Sequence, residues 1–270
     1  MNKFKKLILI VFTLCVIPMV FGKSPRELFT FIQLSDTQMG FISENKNSDE
    51  EIRLYSEAVE LINKIKPEFV VITGDLVHSR TDTSQINSFK KITSLINKKI
   101  SVYVLPGNHD IERKPTKESI EFYFSYYDND KFSFKYKNVQ FIGINSCYIN
   151  SGIEQEVTQY NWLSKSLSEN PSSLRKVVFT HHPFFIDDIN EIDSYSNIAQ
   201  PMRSEYLELF KKSGVVAVFA GHHHKNAESL YQGMDLVTTS AVGKQLGNVK
   251  SGFRVVKVYQ DSITHQYVEF

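Results

Sequence analysis

Residues 69–75 read Phe-Val-Val-Ile-Thr-Gly-Asp (FVVITGD). A run of apolar and β-branched residues with no polar alternation suits a strand covered on both faces, because a strand with one wet face would alternate. The run ends at a glycine, and a carboxylate follows at once. The same order recurs along the chain. Phe29–Leu34 (FTFIQL) leads into Ser35-Asp36-Thr37-Gln38, and Val102–Leu105 (VYVL) into Pro106-Gly107-Asn108-His109-Asp110. Lys176–Thr180 (KVVFT) leads into His181-His182-Pro183, and Val215–Ala220 (VVAVFA) into Gly221-His222-His223-His224. Between these runs lie helical stretches: Asp49–Ile65, with Ile52, Val59 and Ile62 spaced for one face, then Gln85–Asn97, Gln159–Leu167 and Met202–Lys212. Phe132–Tyr136 and Val139–Asn145 read as a hairpin, and Leu236–Thr239, Phe253–Tyr259 and Ile263–Val268 as closing strands. Strand–helix alternation followed by sequential strands predicts a layered α/β domain with mixed sheets.

The chain has 270 residues, 41% hydrophobic, 13% aromatic and 23% charged, enough for one large domain with a sizeable core. No residue type is extreme, which excludes collagen-like, coiled-coil, disulfide-framework and disordered classes. Lys and Arg total 31 against 30 Asp and Glu, a net charge of +1, so no basic field points to nucleic acid. Residues 1–22 start with lysines and continue into the apolar stretch Leu7–Phe21, with small Val20 and Gly22 before a cut. That is the layout of a secretory signal peptide. The stretch contains Pro18 and is shorter than the roughly 20 residues of a comfortable span. The expectation is therefore a signal over 1–22, a domain over 23–270, and a secreted or periplasmic protein with no stable membrane span after cleavage. A retained N-terminal tether is the alternative. Of the two cysteines, Cys15 lies in the signal, leaving Cys147 as a small buried hydrophobe.

In α/β sheets, ligands collect beyond the carboxyl ends of strands. Here those ends supply Asp, Gln, Asn and His, oxygen and imidazole donors that suit divalent Mn, Fe, Zn or Mg. The glycines before Asp75, Asn108 and His222 permit sharp exits and close backbone approach. Any one cluster is weak evidence; all of them, each directly after a buried-type strand, point to a metal site.

The ordered series D-x-Q, GD, GNHD, H and GHxH resembles the calcineurin-like metallophosphoesterase superfamily. So do the surrounding stretches EIRLYSEAVELINKIKP, GDLVH, PGNHDI, HHPFF, GHHHKNA and SAVGKQLG, and the resemblance covers most of residues 29–268. It implies a four-layer α-β-β-α sandwich with two mixed sheets and hydrolysis of phosphoric esters. Phosphate monoesters, in small molecules or in proteins carrying phosphoserine or phosphothreonine, are the expected substrates. The alternatives are diesters (cyclic nucleotides or lipid head groups) and a metal- and phosphate-binding module without turnover. The resemblance further implies two divalent ions. Asp36, Gln38, Asp75 and His224 would hold the first; Asp75, Asn108, His181 and His222 would hold the second, with Asp75 shared. His109 would donate a proton to the leaving group, oriented by Asp110 or His78, while His182 and His223 are expected to be neighbours without a ligand role. Most of the family has Asp-x-His where Gln38 stands, and a neutral oxygen donor there favours weaker binding of harder ions. The segments Asp187–Pro201 and Ser240–Gly247 are expected to rim the pocket, with Tyr195, Asn197, Arg203, Lys244 and Gln245 as candidate substrate contacts. The acidic residues Asp187, Asp188, Glu191 and Asp193 would repel an anion unless turned away.

Overall fold

Strands that are apolar on both sides need cover on both sides. In the computed structural model, which describes residues 26–171 and 174–270, each central strand has a sheet on one side and helices on the other. The expected signal segment, residues 1–22, lies outside the described residues. Five strands form the first sheet: β1 (Glu27–Leu34), β2 (Phe69–Thr73), β3 (Ser101–Leu105), β10 (Gly252–Tyr259) and β11 (Ile263–Glu269), in the order β11-β10-β1-β2-β3. Six form the second: β4 (Phe132–Tyr136), β5 (Val139–Gly143), β6 (Arg175–Phe179), β7 (Val215–Ala220), β8 (Ala227–Tyr231) and β9 (Met234–Thr238), in the order β4-β5-β6-β7-β9-β8. Both sheets are mixed, as expected: β1-β2-β3 and β5-β6-β7-β9 run parallel, and the outer strands pair antiparallel.

The residue alternation shows how the layers stack. Phe29 and Phe31 of β1, Phe69 and Val71 of β2, Val177 and Phe179 of β6, and Phe219 of β7 meet between the sheets. Their sequence neighbours Ile32, Val70 and Ile72 face the opposite way, against α1 (Asp49–Ile65) and α2 (Thr83–Thr93). Val178 and Val218 face α5 (Glu154–Ser168) and α6 (Met202–Lys212). The result is the four-layer α-β-β-α sandwich. Aromatic rings fill its middle: Phe31 stacks on Phe69 with centroids 4.9 Å apart and meets Phe141, Phe179 and Phe219 edge-on.

Several elements differ from the sequence reading. The helix expected over Gln85–Asn97 is α2, which starts two residues earlier, where the Asp82 carboxylate caps Ser84 and Gln85 N–H, and closes at Thr93 in turns. A helix-containing stretch, α3 (Asn108–Ile111) and α4 (Lys117–Phe124), was not foreseen, nor was the edge strand β8. Cys147 is buried in the short 3₁₀ turn Ser146–Tyr148, in line with its expected role as a hydrophobe. Among the described residues, no helix is long and apolar enough to cross a membrane.

Phe31 is fully buried at the centre of the ring cluster, so Phe31→Ala is expected to destabilise the protein by about 3–5 kcal/mol. Urea unfolding measures this, and a loss below about 1 kcal/mol would show that the inter-sheet cluster does not hold the layers together.

Candidate metal centre

The loops that leave β1, β2, β3, β6 and β7 all exit from one edge of the sandwich and are laced together by main-chain hydrogen bonds. Asp36 N–H donates to Gly74 O, Gln38 N–H to Asp75 O, and Gly221 N–H to His181 O, each at 2.9–3.0 Å. The segment after β9 joins them, with Val242 N–H on Ser35 O and Gly243 N–H on Asp36 O. Glycine is required at the crossings. A Cβ on Gly107 would lie 2.2 Å from Asp75 Oδ1, and one on Gly221 would lie 1.7 Å from Ser35 Oγ. Gly74, at φ +93°, brings its backbone against that of Gly107.

Five of the seven candidate ligands hold left-handed backbone conformations: Asp36 (φ 56°), Gln38 (39°), Asp75 (49°), His222 (66°) and His224 (55°). A non-glycine residue there costs about 1–3 kcal/mol, and such residues gather at functional sites. This also resolves how two histidines two apart can serve one site. They do not continue strand geometry, since β7 ends at Ala220 and each turns its side chain through its own left-handed bend.

The imidazoles are held by backbone carbonyls, which can only accept. His181 Nδ1–H donates to Thr73 O at 2.8 Å, His224 Nδ1–H to Lys244 O, and His222 Nε2–H to Tyr195 O at 2.8 Å. Each ring is therefore anchored on one nitrogen and presents the other to the centre. His181 Nε2 lies 3.3 Å from Asp75 Oδ1 and 3.2 Å from Asn108 Oδ1; His224 Nε2 lies 3.3 Å from Asp36 Oδ1. Ligand atoms of Asp36, Asp75 and His224 all lie within 4.8 Å of one another. Asp36 Oδ1 and Gln38 Oε1 are buried without a hydrogen-bond partner among the described residues. Imidazole nitrogens turned inward beside buried carboxylate and amide oxygens fit positive charge, and the set fits divalent cations.

The protons respond to the same field. Burial pushes His181 down, but the Asp75 carboxylate beside it outweighs that and raises it to about 9. His224 rises through Asp36 in the same manner. Burial also opposes ionisation of Asp36 and Asp75, yet the neighbouring histidines hold both below the usual carboxylate range. His222, buried and next to His181, falls to about 4.

The structure brings Asp36, Asp75 and His224 together, and His181 and His222 together with His182, and it refines several assignments. His109 N–H donates to Asp75 Oδ1 at 2.8 Å, and its ring Nδ1–H donates to the main-chain carbonyl of His78 at 2.9 Å. His78 thus orients His109 through its backbone, with its own ring stacked on the His109 ring at 4.9 Å. Asp110, expected as an alternative orienter, does other work. Its buried carboxylate accepts from Leu76 N–H and Gly107 N–H, tying the β2 exit to the β3 exit, and burial beside Asp75 raises it to about 8. His182 was set aside in the sequence reading; it is buried, with Nε2 unpartnered, and a ligand atom of it lies within 4.8 Å of those of His181 and His222. A doublet His-His after a strand was the available signal, but nothing in it distinguishes the second ring.

The expected substrate contacts divide. Tyr195 lies over the centre, its hydroxyl 3.0 Å from Asn108 Nδ2. Lys244 is exposed at the rim, its ammonium 5.0 Å from the Phe41 ring centroid, and Phe41 in turn stacks on His78. Arg203 is corrected: it is fully buried, and its guanidinium donates to Ile198 O, Ile189 O, Glu191 O and Asp193 Oδ1. Asn197 braces the same loop through Ser194 N–H, Glu191 and Ile192 O. Gln245 Nε2 is likewise occupied by Ala241 O, Gly243 O and Ser251 Oγ. These three shape the loops instead of offering donors to a ligand. The acidic loop is also disarmed in part, since Asp193 pairs with Arg203 and Glu191 accepts from Ile186 and Asp187 N–H.

Calcineurin-like phosphoesterase is the family that matches residues 29–226. The chain belongs to that family, and it is a phosphoric-ester hydrolase that works with two divalent metal ions. It is 35% identical over 259 residues to the serine/threonine-protein phosphatase CPPED1 of Mus musculus, covering 88% of this chain and 83% of that protein. The Homo sapiens protein of that name is 35% identical over 260 residues, with the same coverage. A solved dimetal phosphatase from Danio rerio superposes with a TM-score of 0.68 at 15% identity, covering 90% of this chain and 98% of that one. A purple acid phosphatase from yellow lupin gives 0.63 at 15% identity, over 89% and 51%. At these identities the two structures speak to the fold.

If Arg203 braces the loop, Arg203→Met should lower stability by about 2–4 kcal/mol, as three carbonyls and Asp193 lose their donor. Proteolytic cleavage within 187–201 should accelerate. Unchanged stability with a tenfold weaker KM for a phosphorylated substrate would instead make it a substrate contact.

Proposed function

We propose that the chain hydrolyses phosphate monoesters, phosphoserine and phosphothreonine in proteins among them. The observation that carries this reading is the gathering of Asp36, Gln38, Asp75, Asn108, His181, His222 and His224 at one edge, with the half-buried His109 hydrogen-bonded to Asp75 through its backbone. The CPPED1 relatives, matched over 88% of the chain, carry the name of such a phosphatase. Asp36, Gln38, Asp75 and His224 would hold one ion, and Asp75, Asn108, His181 and His222 the other. When bound, the pair of dications supplies a nucleophile at neutral pH and positive charge for the phosphate oxygens.

The remaining chemistry belongs to side chains. With Nδ1–H committed to His78 O, His109 has Nε2 as its one free ring nitrogen, and protonated there it delivers that proton to the leaving-group oxygen. The His78 carbonyl and the stacked His78 ring keep the imidazole from turning away. Lys244 at the rim offers a cation to a dianionic ester. Gln38, a neutral oxygen donor, tilts metal preference towards the harder ions, manganese and magnesium ahead of zinc. From residues 1–22 we propose export, so that the substrates are met outside the cytosol.

Asp75→Asn is expected to abolish binding of both ions and nearly all activity, because it discharges the shared carboxylate. His109→Ala should keep both ions and lose about a hundredfold or more in turnover, most with poor leaving groups. Metal content by elemental analysis separates the two, and loss of metal in His109→Ala would overturn its assignment. Turnover of p-nitrophenyl phosphate well above its bis ester, with manganese added, supports the monoesterase reading. The reverse ratio makes the protein a diesterase.

A further inference from the structure

One residue touches two of the four ligands assigned to the second ion. Tyr195, on the loop braced by Arg203, receives a hydrogen bond from Asn108 Nδ2 on its hydroxyl (3.0 Å) and from His222 Nε2 on its main-chain carbonyl (2.8 Å). Its ring tilts against the His222 ring with centroids 4.8 Å apart. Both contacts act on orientation. An amide can face a cation only with its oxygen; turned over, it would aim two hydrogens at the charge. By accepting from Nδ2, the Tyr195 hydroxyl keeps Asn108 Oδ1 on the inner side, 3.2 Å from His181 Nε2. The hydroxyl's own proton is free to point to water, since Tyr195 is 59% exposed. The carbonyl, which can only accept, keeps the His222 proton on Nε2 and the Nδ1 lone pair free.

Tyr195 is itself held. The Arg113 guanidinium donates to Tyr195 O and, at 3.1 Å, to Ser194 O, and lies 4.6 Å from the Tyr195 ring centroid. Arg113 lies two residues beyond the Asn108–Ile111 turn, so one segment carries both the ligand and the clamp for the residue that orients it. The first ion has no such dependence, because His224 is oriented by the Lys244 carbonyl and the Asp36 carboxylate accepts from His222 N–H.

We propose that Tyr195, clamped by Arg113, is a positioning residue for the second metal ion alone, so that the seating of the loop at 187–201 sets the affinity of one ion of the pair. This rests on the two-ion assignment above. The test is calorimetric titration of chelator-stripped full-length protein with manganese chloride, alongside thermal unfolding of the stripped protein. Wild type should bind two ions. Tyr195→Phe, which keeps ring and carbonyl, should still bind two, with one affinity weakened about tenfold or more and the other unchanged. Arg113→Gln should weaken the same ion, and the metal-free melting temperatures of both variants should match wild type. Equal weakening of both ions, or no change in either variant, overturns the role of Tyr195 while leaving the two-ion reading intact. Wild-type protein that binds fewer than two ions overturns the assignment beneath it.

Discussion

Carboxylates face imidazoles whose far nitrogens are tied to main-chain carbonyls, and the rest of the molecule serves to bring that about. Thr73 O, Lys244 O and Tyr195 O each take the proton of one ring nitrogen, so His181 and His224 turn their Nε2 atoms towards Asp75 and Asp36. The carbonyls come from three separate places in the chain: the last residue of β2, the segment after β9, and the loop before α6. None can be moved without turning a ligand. Buried charge of one sign packed this closely is unfavourable by itself, and only positive charge in its midst, protons or cations, makes it tolerable.

The sandwich supplies the stiffness this requires. Five candidate ligands in left-handed conformations represent several kcal/mol of stored strain. It is offset by a core in which Phe31, Phe69, Phe141, Phe179 and Phe219 lock the sheets face to face. Parallel strands fixed between helices and a second sheet cannot slide, because a shift of one residue would exchange Phe31 for Ile32 on the inner face. Fixed strands give fixed exits, and fixed exits give fixed ligands.

Much of this could be read from the chain before any coordinates. Runs such as FVVIT and VVAVFA carry the signature of double-sided burial in their lack of alternation, and the polar residue after each run is displayed at a strand end by the topology alone. What escaped were roles decided by direction. Asp110 beside His109 and His78 three residues after Asp75 both stood as candidate orienters, yet the one turns its carboxylate to Leu76 and Gly107 amides and the other works through its carbonyl. Arg203 stood as a candidate substrate contact because a dianionic ester would favour a cation near the rim, and no pattern announces that four acceptors of its own loop will surround it. The edge strand β8 and the short helix α4 were missed for a related reason: half-exposed elements have little apolar signal of their own, and β8 is held in place by its hairpin pairing with β9.

The two metal positions differ in what surrounds them. The first is enclosed by strand exits and by the segment after β9, hydrogen-bonded to Ser35 and Asp36. The second takes part of its order from the loop between β6 and α6, where Tyr195 and Ser194 are exposed and Arg113 meets them from outside. Elements with few buried apolar contacts open at low free-energy cost, whereas strand exits open only with the sheet. A site built half from each kind of element holds one ligand set rigidly and the other conditionally. Because the loop also borders the space a phosphorylated group must enter, whatever displaces or seats Tyr195 acts on substrate access and on the second ion together.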